Sequence, residues 1–193
     1  MLFRSSGEDL RSIVATFTSV FPNGTVWMVG QDDVLLVASK EPLDGRLGAI
    51  ADRLKRPGVA DDLAAVQAKG PFAVLSLYVG GPDALKTYSA GAELQVDDRT
   101  ALEFSGPRAM DSRGSAENAA ALRALFDVNR VPEPVRRAWT DATPADWVNR
   151  ARMMLKADVA LDAYDDFARA LAIDPHDSDA LTGLAQTAPL APR

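Results

Sequence analysis

Near the C-terminus, large and small apolar residues repeat at a spacing suited to a packed pair of helices. Trp147, Arg150 and Ala151 are followed 34 residues later by Leu181, Leu184 and Ala185, with Ala163, Phe167, Ala170 and Pro175 in between. That period belongs to helix-turn-helix units that bury their apolar faces on one another. Ala151 and Ala163 let two helices approach closely, Trp147 and Phe167 fill the volume around them, and Pro175 stops the second helix after Asp174. Trp147, Ala151, Ala163, Phe167, Ala170 and Pro175 are therefore the expected packing set. A unit of this kind packs and binds, and it brings no chemistry of its own. Pro189 and Pro192 limit the pattern to about one and a half units, and fewer than about three rarely stand alone. It must then lean on another chain or on upstream residues, for which the helix expected over 115–126 is the natural cover.

A chain of 193 residues holds one moderate domain and a smaller one. Its net charge of −6 opposes a nucleic-acid partner, because binding phosphates needs a basic face. The lack of cysteine excludes disulfides and thiolate metal sites, and the lone histidine excludes His-rich ones. That residue, His176, follows Asp174-Pro175 at a helix end, where a cationic imidazole is favoured without any catalytic role. No stretch approaches the roughly 18 apolar residues of a membrane span, and the N-terminus lacks the apolar run of a signal peptide. The expectation is a soluble, cytoplasmic protein with no cofactor and no metal.

Leu10, Ile13, Val14, Phe17, Val20 and Phe21 form one stripe of a helix over 6–21, with Ser6 and Asp9 as its capping box. Pro22-Asn23-Gly24 ends it. Thr25–Val29 and Val34–Ala38 read as a β-hairpin around Gly30-Gln31-Asp32-Asp33. Their near-continuous apolar character predicts cover on both faces, one of them supplied by the first helix. Leu43, Leu47, Ile50, Ala51 and Leu54 mark a second helix, which Arg56-Pro57-Gly58 breaks, and another is expected over 60–68. The run 72–79 fits a strand or a buried helix equally. Pro82-Asp83 opens a short helix over 82–88. Thr100–Phe104, closed by Gly106-Pro107, is a candidate last strand, 115–126 is helical, and the three prolines of 131–144 predict a linker.

The segment 9–38, DLRSIVATFTSVFPNGTVWMVGQDDVLLVA, resembles the C-terminal part of spermidine-synthase-like (polyamine aminopropyltransferase-like) proteins, in which a helix leads through a VFP turn into an antiparallel hairpin. Val96-Asp97-Asp98-Arg99, then Leu102-Glu103-Phe104 and Pro107-Arg108, is similar to a second block of that family, although Thr100 replaces a frequent proline. The C-terminal period resembles a tetratricopeptide (TPR) unit, with Arg150 and Met154 where Leu and Tyr are usual. The family resemblance implies a Rossmann-like sheet finished by the hairpin. It also implies that the nucleotide loop, the ribose-binding acid and the catalytic Asp would precede the hairpin, so the chain is expected to be a fragment or a remnant without a catalytic residue.

Other motifs favour plain structural readings. Gly80-Gly81-Pro82-Asp83 lacks the full G-x-G-x-x-G fingerprint of a phosphate loop. Adjacent Asp97 and Asp98 would point to opposite faces of an extended segment, which favours a solvated turn with Arg99 as counter-ion over paired acids. The Asp32-Asp33 pair lacks further oxygen ligands for a metal. Asp97, Asp98, Arg99 and Arg108 remain the candidate binding residues. The expected fold is α+β, a partial Rossmann-like domain with a short antiparallel sheet over 1–110, a helix and linker over 111–143, and a TPR-like helical tail over 144–193. The expected role is the non-catalytic part of a spermidine-synthase-like protein, partnered by a further N-terminal domain or another protein, with self-association left open. The alternative is a free-standing TPR-type adaptor.

Overall fold

The computed structural model describes residues 6–30, 33–96 and 114–188. It is an α+β structure of helices and one three-stranded antiparallel sheet. The chain divides into two compact units, one within Met1–Leu43 and Tyr78–Val131, the other within Asp44–Leu77 and Pro132–Arg193. This differs from the contiguous division expected at 110 and 143, because the segment 44–77 belongs with the C-terminal helices.

In the sheet unit, α1 (Gly7–Val20) starts as its sequence predicts. Ser6 Oγ accepts from the Asp9 amide at 3.2 Å, and the Asp9 carboxylate accepts from the Ser6 amide at 3.1 Å. β1 (Thr25–Val29) and β2 (Asp33–Val37) form the expected antiparallel hairpin, with Trp27 opposite Leu35. Gly30, at φ +62°, supplies the left-handed conformation in which the chain leaves β1. β3 (Tyr78–Gly80) pairs on the other side of β1, giving the order β2-β1-β3. The buried core joins Leu10 and Val14 of α1 to Val26, Met28 and Val79, so the first helix does cover the hairpin. It also takes in Leu85 of α6 (Pro82–Tyr88) and Ala119 and Leu122 of α7 (Gly114–Arg123). Among the described residues, cover on both faces of both strands is not found: β2 lies at an edge of the sheet and its Leu35 is 62% exposed. The outer end of the α1 stripe is also bare, with Val20 57% exposed.

The helical unit begins with α2 (Asp44–Gly48) and α3 (Ile50–Arg53), two short pieces in place of one continuous helix. Gly45 and Gly48, poor helix formers, lie in this stretch. α4 (Val59–Ala65) follows the predicted break, with Gly58 at φ +84° as its N-cap. The ambiguous run 72–79 is both things it resembled: its first part lies in helix α5 (Gly70–Leu75), and its end is β3. The expected linker over 131–144 instead contains helix α8 (Glu133–Thr140). Its prolines sit at helix starts, Pro132 as N-cap and Pro134 in the first turn, where the missing N–H costs nothing. Pro144 does the same for α9 (Pro144–Lys156), and Thr143 with Asp146 makes a second capping box. α10 (Ala160–Ile173) and α11 (Ser178–Thr187) complete the unit. Among the described residues, no helix is long and apolar enough to cross a membrane.

Candidate functional site

Five of the six expected packing residues form the centre of the helical unit. Ala151, Ala163 and Ala170 are fully buried, and Trp147 and Phe167 nearly so, in one cluster with Met154 and Ala180. The sixth, Pro175, is exposed and serves only to follow the end of α10 at Asp174. Cover for α9 comes from α5 and α8, and the helix over 115–126 expected in that role is α7 of the sheet unit. Phe72 of α5 meets the Trp147 ring edge-on at 4.9 Å, and Trp139 of α8 meets it at 5.4 Å. The Arg169 guanidinium stacks on the same aromatic cluster, 4.8 Å from the Trp147 ring centroid.

The 34-residue period sets helix starts better than it sets faces. α9 and α11 begin at Pro144 and Ser178, 34 residues apart. The later partners Leu181 and Ala185 are nevertheless exposed, and α11 is buried through Ala180, Gly183 and Thr187. In α9, the face of Trp147 and Ala151 is covered because α10 lies against it. The matching face of α11 has no helix on it among the described residues.

Sequence reasoning missed the unit's most unusual feature, although it noted that Arg150 stands where the repeat usually has Leu. Arg150 Nη1 donates to both carboxylate oxygens of Asp166, at 2.6 and 2.5 Å, and its Nε donates to Ser76 Oγ at 3.0 Å. The Asp166 side chain is 3% exposed and that of Arg150 13%. Charge at an apolar repeat position, with an acid 16 residues on, is the signal that could have revealed the pair. Burial pushes the Asp166 carboxyl up to about 6 from an ordinary value of 3.8, and the Arg150 guanidinium only partly offsets this.

The folded state thus holds the Asp166 proton more tightly than the unfolded chain. Its contribution to stability is full below about pH 3.8 and is lost as pH rises through about 6. Between pH 7 and pH 5 the wild type should therefore gain stability relative to Asp166→Asn. Denaturant unfolding of both proteins at several pH values reads this directly, and a constant difference would refute the assignment.

Among the described residues, the other sequence candidates form no site. Asp97, Asp98, Arg99 and Arg108 lie outside the described residues, as do the strand expected over 100–104 and Asp32. Gly80 and Gly81 are used for packing: a Cβ at Gly80 would stand 3.0 Å from the Ala84 methyl, and one at Gly81 2.6 Å from the Tyr78 hydroxyl. His176 is exposed in the loop after α10. Among the described residues, no three His, Cys, Asp or Glu side chains come together as a metal site. No protein-family model, no curated protein and no solved structure matches this chain.

Proposed function

We propose that the chain is the non-catalytic, sheet-completing portion of a cytoplasmic spermidine-synthase-like protein, with its C-terminal helices acting as a TPR-like interaction surface. The parent activity would be polyamine aminopropyl transfer. The observation that carries the reading is the edge of the sheet. β2 pairs only with β1 among the described residues, and its sequence DVLLV contains no proline or lysine to guard the free edge. An apolar, unguarded edge is suited to receive a further strand. The helix, VFP turn and hairpin over 7–37 also have the order that the family resemblance implies.

Two measurements on the chain alone test this. Calorimetry with decarboxylated S-adenosylmethionine should show no binding, and stoichiometric binding would overturn the non-catalytic reading. Amide exchange should find the β2 amides not bonded to β1 essentially unprotected, and strong protection there would mean that the edge is already covered. The adaptor reading draws on a different observation, the exposed Leu181 on α11. A purified protein complex lost on Leu181→Asp, with the helical unit still folded, would favour it.

A further inference from the structure

We propose that the helical unit holds a binding pocket for a small organic cation, an ammonium group on an apolar body. A cavity of about 380 Å³ opens between α2, α3, α5 and α8. Its floor is made by Leu47, Phe72 and Leu75, all buried, and this combination of volume and apolar floor suits a small ligand.

Its charged lining residues, Glu133, Arg137, Asp141 and Asp146, carry a net negative charge. Glu133 is bound by the Arg136 and Arg137 guanidinium groups, whose hydrogen bonds hold its carboxyl below the ordinary range, so Glu133 and Arg137 compensate each other. Asp141 and Asp146 also line the cavity, and neither has a cationic partner among the described residues. Asp146 Oδ2 accepts from the Thr143 amide and hydroxyl, at 2.9 and 2.7 Å, which leaves Oδ1 available. Asp141 accepts only from the Thr140 hydroxyl, at 3.3 Å. An apolar floor beside two uncompensated carboxylates selects an amphipathic cation over a neutral or anionic ligand of the same shape, since each carboxylate attracts an ammonium and repels a carboxylate.

The test is methyl NMR of the full chain titrated with hexylammonium, hexanol and hexanoate. Hexylammonium should shift the Leu47, Ile50 and Leu75 methyls saturably, with affinity about fivefold or more above that of the other two. Asp141→Asn, at an exposed position where Asn is well tolerated, should reduce hexylammonium affinity about threefold and leave hexanol unchanged. Ala51→Phe, which narrows the cavity, should abolish the shifts with the spectrum otherwise retained. Equal binding of hexanol or hexanoate, or no saturable shift at these methyls, overturns the proposal.

Discussion

Asp166→Ala should destabilise the helical unit by about 3 kcal/mol, because it removes the carboxyl group that accepts both Arg150 Nη1 hydrogen bonds between α9 and α10. The size of the effect comes from what remains behind. A guanidinium hydrogen-bonded to a carboxyl group is satisfied, whereas donors left without an acceptor keep their desolvation cost. Ser76 cannot rescue it, since its hydroxyl oxygen at 3.0 Å already accepts from Arg150 Nε. The double variant Arg150→Met with Asp166→Leu should recover most of the loss, because it removes both charges and keeps the volume. Ser76 Oγ would still donate to the Ala73 carbonyl at 3.2 Å. Denaturant unfolding at pH 7 of the single and double variants gives the coupling directly, and additive losses would show that the pair is not the source.

The elements that could be read from sequence are those whose causes are local. Ser6 and Asp9 announce the start of α1 three residues apart, and Gly30 marks the turn after a β-branched run. The run 72–79 could not be divided by periodicity, because a buried helix and a buried strand look alike over so few residues. α8 was hidden by a true rule wrongly weighted. Prolines break helices from within but fit their first turn, and Val135, Ala138 and Trp139 carried the three- and four-residue spacing of a packed face. The Arg150–Asp166–Ser76 contact joins residues 16 and 74 positions apart, so it depends on a helix crossing that no local pattern encodes. The same holds for the cover on Trp147: nothing near residue 72 names a partner beyond residue 138, so the C-terminal helices read as a separate tail. Leu35 illustrates the converse, an apolar residue taken as covered on pattern alone and left bare by its place at the sheet edge.

Gly183→Ala should lower stability by about 2 kcal/mol or more, against the direction that helix propensity predicts. In an open helix this replacement gains about 1 kcal/mol. Here the added Cβ would fall well inside contact distance of the Phe167 ring atoms Cζ, Cε1 and Cε2. Phe167 is 2% exposed, among fully buried Ala163, Ala170 and Ala180, so the ring has little room to withdraw. Overpacking of this kind costs about 1–3 kcal/mol, and displacing the ring altogether approaches the about 3–5 kcal/mol of deleting it. Steric cost therefore exceeds the propensity gain. Thermal unfolding of Gly183→Ala, Phe167→Leu and their combination decides the matter. Phe167→Leu alone should be destabilising because it leaves a void, and in the double variant the new methyl partly fills that void, so the combined loss should be smaller than the sum. A stabilised Gly183→Ala would mean that α11 does not pack on Phe167 this closely, and that it is held by Ala180, Leu184 and Thr187 with the exposed Arg152–Asp179 bridge at 3.0 Å. Surface bridges of that kind are worth about 0–1 kcal/mol, too little to order a ten-residue helix, so the buried face of Ala180, Gly183 and Thr187 is what holds α11.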